Sequence, residues 1–261
     1  MAELQETKFE KVPLISVVIN CYNGEKFLKE AIDSVYSQTY SNWEIVFWDN
    51  ASTDKSESIA RSYDRKLRYF KSSNLILLHE ARNLAVKKCN GNVIAFLDAD
   101  DIWLPNKLDK QVKLLSEDNK IIYGGYEIID QFGNRTGMVT KDGPSGFITA
   151  SLIRKNPISV GSILIDKSLL EQFRFDENYD IMADFDLWVR LSLQYRINSV
   201  KGIVELSRQH ESNVSDTQKH KWLVERRYFY RNFLRTNSVL KFPGIVLYII
   251  KTEIKGLFYV R

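Results

Sequence analysis

Apolar and polar positions mark out alternating short segments over the first half of the chain. Ile15–Asn20 (ISVVIN) is a β-branched run, and beyond it Phe27, Leu28, Ala31, Ile32 and Val35 share one helical face. Glu44–Trp48 is a second strand-like run. It ends in Asp49-Asn50-Ala51-Ser52, which can cap a helix running to about Tyr63. Leu67–Lys71 reads as a third strand and Glu80–Cys89 as a helix stopped by Asn90-Gly91. Val93–Leu97 is a fourth, continuously apolar strand, Pro105 opens a helix to about Ser116, and Ile121–Tyr126 is a fifth strand.

The second half is less regular. Asp130–Asn134 reads as a turn between antiparallel strands and Gly143–Gly146 as a loop. Ser162–Ile165 and Ile203–Leu206 are strand candidates, with a short helix over Asp184–Leu193 between them. Repeated strand–helix units with continuously apolar strands predict an α/β fold, Rossmann-like, whose mostly parallel sheet carries helices on both faces. In such sheets ligands bind beyond the carboxyl ends of the strands. Polar residues cluster at those ends: Asn20 to Asn23, Asp49 to Asp54 and Asp98 to Asp101.

Composition narrows the class. Of 261 residues, 44% are apolar and 27% charged, as in a globular protein. The net charge of +4 is unevenly spread, with +8 in residues 218–261 and −4 in the rest. Trp222 to Leu234 interleaves aromatics with Arg226, Arg227 and Arg231, and Phe242–Ile250 is an apolar run too short to span a bilayer. This predicts a division into a catalytic domain, 1–215, and a helical, basic extension, 216–261. The extension suits an anionic membrane surface better than nucleic acid, or else packs on the domain or a second subunit. No stretch reaches the roughly 18 apolar residues of a spanning helix, and Met1 to Lys11 has no apolar h-region of a secretory signal. Cys21 and Cys89 lie far apart without metal-like spacing, which points to free thiols in a reducing cytosol. The expected location is cytoplasmic, peripheral on the inner face of the membrane.

Phe96-Leu97-Asp98-Ala99-Asp100-Asp101 carries the chemistry most plainly. Packed together, three carboxylates would raise one another's pKa unless a cation neutralised them. A hard ion with oxygen ligands, Mg²⁺ or Mn²⁺, would do so and would also bind a diphosphate. The competing reading is a solvated acidic turn. Four further motifs decide between them: ISVVINCYN from Ile15, SVYSQTY from Ser34, WDNASTD from Trp48 and Ala81-Arg82-Asn83. With these in register, residues 13–215 resemble the inverting nucleotide-sugar glycosyltransferases of family 2, which have the GT-A fold.

The resemblance implies roles residue by residue. Asn20, Tyr22 and Asn50 would lie near base and ribose, with Tyr22 stacked on a pyrimidine rather than buried in the core. Asn50 would accept the uracil N3–H, although the family usually has Asp there. Arg82 would contact the diphosphate, or else pair with Glu80 or Asp101. Asp98 would lie towards the ribose, and Asp100 with His210 would hold the metal, Arg208 pairing with phosphate. Asp184 falls where the family carries its catalytic base, with Ala183 replacing the usual Glu; the alternative for it is a plain helix N-cap. Asp186 would cap or orient that helix, Trp188 would pack below it, and His79 and His220 read as surface residues. The implied donor is a UDP-sugar, and the acceptor a glycan or lipid-linked glycan in surface-polysaccharide or lipopolysaccharide assembly. A sugar-phosphate nucleotidyltransferase is disfavoured, since Asn23-Gly24-Glu25-Lys26 is poor in Gly and cations. A non-catalytic nucleotide- or glycan-binding module would need no base, and a dehydrogenase would need a Gly-x-Gly-x-x-Gly after the first strand.

Overall fold

Every residue of β1 (Ile15–Cys21) is buried, because it runs between two parallel neighbours, β2 (Trp43–Asp49) and β4 (Val93–Asp98). A computed structural model of the chain describes residues 12–211, 219–236, 244–249 and 251. Side chains alternate between the two faces of this sheet. Ile15, Val17 and Ile19 join one core with Ile45, Phe47, Ala95 and Leu97, covered by α1 (Leu28–Tyr36). Val18, Val46, Ile94 and Phe96 join the other, covered by α3 (Leu78–Val86) and α7 (Ala183–Ser192). The helical face predicted after the first strand is the buried one: Leu28, Ala31, Ile32 and Val35 are wholly inaccessible.

Between these elements lie α2 (Ser56–Ala60), β3 (Leu67–Lys71), β5 (Ile102–Trp103) and α4 (Lys107–Val112). There follow β6 (Ile121–Ile129), β7 (Arg135–Thr140), α5 (Thr149–Arg154), β8 (Leu164–Asp166), α6 (Lys167–Phe173) and β9 (Asn198–Arg208). The sheet order is β3-β2-β1-β4-β8-β6-β9-β5, with β7 paired to β6. Its first four strands are parallel, as predicted. The remainder is mixed, with antiparallel pairs β4–β8, β6–β8, β6–β7 and β5–β9 and one parallel pair, β6–β9. The turn at Asp130–Asn134 closes the β6–β7 hairpin. The fold is the α/β arrangement expected, the parallel half confined to the amino-terminal strands.

Several local expectations are corrected. Asp49-Asn50-Ala51-Ser52 caps no helix: Asp49 accepts the Ser52 N–H at 2.7 Å, closing a turn, and α2 begins only at Ser56. Asn90-Gly91 is not a helix cap, since α3 ends at Val86. Instead it stitches the strands' starts together. Asn90 donates backbone and side-chain bonds to Glu44 (2.7 and 2.9 Å), and a Cβ at Gly91 would lie 2.4 Å from the Leu14 carbonyl. The helix after Pro105 stops at Val112, and Ser162 lies in a 3-10 turn before β8. β6 and β9 outrun the predicted strands, because β-bulges between them hide their period.

The last long element is α8 (Lys219–Thr236). Its Phe229, Tyr230 and Phe233 enter the same core as Leu187 and Trp188, joined by Ile245 and Ile249. Packing on the domain is therefore realised along one face of α8, while Trp222, Val224 and Tyr228 stay on the exposed side. The predicted boundary at 215/216, Asn213 and the ends of the Phe242–Ile250 run lie outside the described residues. Among the described residues no helix is long and apolar enough to cross a membrane.

Candidate active site

Parallel pairing aligns the strand ends that carry polar residues. Asn20 lies beside Asp98 on one side and Trp48 on the other, and Cys21 lies beside Asp49. Beyond them opens a cavity of about 660 Å³, walled by the ends of β1 and β4, the starts of α3 and α7, and Ser207, His210 and Glu211. Asn20, Tyr22, Arg82, Asp98, Asp100, Asp184 and His210 all line it. One cavity thus gathers side chains that stand up to 190 positions apart in sequence.

The floor is built by cross-bonded loops. Asn23, at φ 52°, accepts the Thr53 N–H at 2.9 Å, and its own N–H donates to the Ser52 hydroxyl at 3.0 Å. Ala51, at φ 65°, holds the opposing loop in the region that favours glycine. Tyr22 is half exposed towards the cavity and not a core tyrosine. Asn20 is 7% exposed, and its Nδ2 has no hydrogen-bond partner among the described residues. A buried donor left unpaired is costly, so a ligand acceptor fits there.

Asn50 is the exception. It does not line the cavity: its Nδ2 donates to the Ile76 carbonyl at 2.8 Å, and its Oδ1 accepts from Ile76 N–H and the Ser72 hydroxyl, both at 3.2 Å. The amide fastens residues 72–76 to the end of β2, which leaves no acceptor for a base.

The acidic triplet divides three ways. Asp98 accepts from Arg82 Nη2 at 2.7 Å, so Arg82 pairs with neither Glu80 nor Asp101. Asp100 Oδ2 lies 2.9 Å from His210 Nε2. Burial pushes the Asp100 carboxyl up, with the Asp98 charge adding to it. Asp101 turns into the protein, where its Oδ1 accepts the Arg208 N–H at 2.7 Å. Burial, with Glu205 and Asp100 adding, raises Asp101 well above the usual carboxylate range. Arg208 is not a phosphate contact: it is 2% exposed, donates to the Asp100 carbonyl at 2.9 Å and pairs with Glu30 at 2.7 Å. It braces the turn that carries Asp100.

Asp184 faces this cluster from the first turn of α7. It is not the N-cap, a position held by Met182, and its Oδ1 accepts the Phe185 N–H at 2.8 Å. Burial raises its carboxyl, against the nearby Arg82 charge, which lowers it. Asp186 pairs within α7 with Arg190 at 2.6 Å. The Arg190 guanidinium also donates to the Phe173 and Arg174 carbonyls at 2.6 and 2.8 Å and so ties α7 to the end of α6, and Trp188 is fully buried.

His79 was expected at the surface. It is 1% exposed and lines the cavity one turn before Arg82, and burial pushes its imidazole down. Its i, i+3 spacing to Arg82 is the signal in the sequence; the predicted helix begins at Glu80, whereas α3 begins at Leu78 and includes it. His220 is exposed, as expected.

A divalent ion suits the Asp100–His210 pair, one oxygen and one nitrogen ligand on the cavity wall. Among the described residues no group of three His, Cys, Asp or Glu could hold a metal alone. Mg²⁺ and Mn²⁺ accept such partial shells when phosphates and waters complete them.

The sequence matches the description Glycosyl transferase family 2 over residues 16–174. It is 31% identical over 220 residues to UDP-Glc:alpha-D-GlcNAc-diphosphoundecaprenol beta-1,3-glucosyltransferase WfgD of Escherichia coli, covering 81% of this chain and 85% of that protein. An uncharacterized glycosyltransferase of Rickettsia felis is 36% identical over 213 residues, which are 78% of this chain; the chain spans 35% of that relative's length. Among solved structures, S. aureus TarS in complex with UDP-GlcNAc superposes with a TM-score of 0.66 at 19% identity, over 86% of this chain and 74% of that one. The mannosyltransferase PcManGT of Pyrobaculum calidifontis, in complex with GDP-Man and Mn²⁺, gives 0.65 at 18% identity, over 94% and 72%. At such identities the structures speak for the fold.

Proposed function

The chain belongs to glycosyl transferase family 2, and from that premise we propose that it is an inverting, metal-assisted transferase acting from a nucleotide-diphosphate sugar. The supporting observation is that one cavity is lined by Asp184, the Arg82–Asp98 pair and the Asp100–His210 pair.

In this reading Tyr22 stacks on the base and the unpaired Asn20 Nδ2 donates to the nucleoside. Arg82 turns part of its guanidinium from Asp98 to the diphosphate, and Asp98 accepts from the ribose. Asp100 and His210 would hold a Mg²⁺ or Mn²⁺ ion, which would supply positive charge to the leaving diphosphate. Asp184 takes the acceptor hydroxyl's proton as that oxygen attacks the anomeric carbon. The bond from that carbon to the phosphate oxygen breaks, and its electrons leave with the nucleoside diphosphate. Attack from the opposite face inverts the centre.

We assign the donor as a UDP-sugar and the acceptor as a lipid-linked glycan; WfgD, named for UDP-Glc and a diphosphoundecaprenol acceptor, supports both. The test is a screen of UDP-, GDP- and dTDP-sugars for nucleoside diphosphate release with Mn²⁺ or Mg²⁺. Metal-stimulated release strongest with a UDP-sugar is the expected result. A chain that binds nucleotide but releases none with any donor would be a binding module.

The exposed side of α8, with Trp222, Tyr228, Arg231 and Arg235, supports peripheral attachment to an anionic inner leaflet. Changing Arg231 and Arg235 to Glu, rather than deleting the helix, tests this without opening the core. Co-sedimentation with anionic vesicles then falls; equal binding by both forms overturns it.

A further inference from the structure

Glu225 belongs to none of the sequence motifs, yet it holds the segment that carries Asp184. It lies on α8 and is 7% exposed. Its Oε1 accepts the Asp180 N–H at 2.9 Å, and its Oε2 accepts the N–H groups of Ile181 at 3.0 Å and Met182 at 2.9 Å. These three residues immediately precede α7, whose N-cap Met182 provides no side-chain cap. Three N–H groups of the segment leading into α7, the N-cap's among them, are therefore satisfied from another helix, Met182's by a residue 43 positions further along the chain.

The same segment forms part of the cavity wall. Asp180 and Ile181 line it, and Asp184 stands two residues beyond Met182. One turn before Glu225, Lys221 pairs with Asp180. Beyond it, the Phe229 ring packs edge-on against Phe185, centroids 4.9 Å apart, and Tyr228 meets Tyr179 at 5.6 Å. Contacts from α8 thus fall on both sides of Asp184 in sequence.

We infer that Glu225 is a positioning residue for the reaction, setting where the Asp184 carboxylate stands relative to the acceptor hydroxyl. The inference rests on the reading of Asp184 as base. A carboxylate bonded to three N–H groups at a helix start is held by charge-assisted bonds and by the helix dipole together. Without it the N–H groups lose their acceptors, and residues 180–182 must move to find others. Asp184 moves with them. A misplacement of about 1 Å at a reacting group can lower a rate by about 10²-fold.

The experiment uses the full chain with Glu225→Gln, which keeps the volume but turns an NH₂ donor towards N–H groups. The expected result is a kcat about 10- to 100-fold lower with donor KM within about twofold, since Asn20 and Asp98 stand on β1 and β4 and Tyr22 directly follows β1. The double variant Asp184→Asn/Glu225→Gln is no slower than Asp184→Asn, because both act through one proton transfer. Glu225→Asp, with the charge kept and the reach shortened by one methylene, falls between the wild type and Glu225→Gln. A Glu225→Gln chain that melts earlier but turns over at the wild-type kcat overturns positioning and leaves an anchoring role. If Asp184→Asn is inactive while Glu225→Gln and Glu225→Asp keep full kcat, positioning fails and the base stands. If Asp184→Asn retains near wild-type rate, the base reading itself fails.

Discussion

Asp184→Asn lowers transfer by about 10²- to 10⁴-fold while leaving donor affinity within about twofold, the loss expected for a general base. Asn keeps the shape and can still accept the Phe185 N–H, so α7 retains its local bond. What it cannot do is take a proton. The environment of Asp184 also fixes the direction of the pH dependence. Burial raises its carboxyl above the ordinary range, and a base works only when ionised. Activity therefore rises with pH through a midpoint above that of an exposed aspartate, and it is lost as pH falls. The check pairs kcat/KM across pH with calorimetric titration of the nucleotide. A variant that transfers near the wild-type rate contradicts the assignment, and loss of nucleotide binding in step with rate makes Asp184 a binding residue.

Asp100→Asn is the second large effect. The carboxylate faces His210 across 2.9 Å, on a turn braced by Arg208 through the Asp100 carbonyl. Removing its charge would leave an ion held there one neutral oxygen and one imidazole, a poor set for a hard cation. The rate at saturating Mn²⁺ drops by about 10²-fold or more, and stimulation by metal largely disappears. His210→Ala moves in the same direction by a smaller factor. Titrating Mn²⁺ against rate, with chelator-treated protein as baseline, measures both. An Asp100→Asn enzyme with undiminished metal stimulation removes Asp100 from the metal's shell.

Much of this was legible where a single local rule decided the outcome. Ile15–Asn20 and Val93–Leu97 are buried on both faces, and continuous apolar runs report that directly. The rule that ligands sit beyond strand ends then located Asn20, Tyr22, Asp98 and Asp100 in one cavity. Where two outcomes were locally equivalent the sequence could not choose. Asn50 could face a nucleotide or residues 72–76, and only the path of those residues, fastened through Ile76, turned it inward. Arg208 could meet phosphate or protein, and Glu30, 178 positions earlier, supplied the protein partner. Asp101, at the edge of the same cavity, turns its Oδ1 inward to the Arg208 N–H, 107 positions away in sequence. Glu225 sits in a basic, aromatic stretch that read equally as a membrane surface. Its bonds to residues 180–182 exist only once α8 has docked.

Inversion at the anomeric carbon of a nucleotide-sugar fixes the anomer of the first product released. Proton NMR of donor turnover without acceptor tests it most directly, because water then takes the acceptor's place. With UDP-α-D-glucose and Mg²⁺, the expected first-formed free sugar is the β anomer, appearing before mutarotation and absent with Asp184→Asn. Initial release of the α anomer would contradict it.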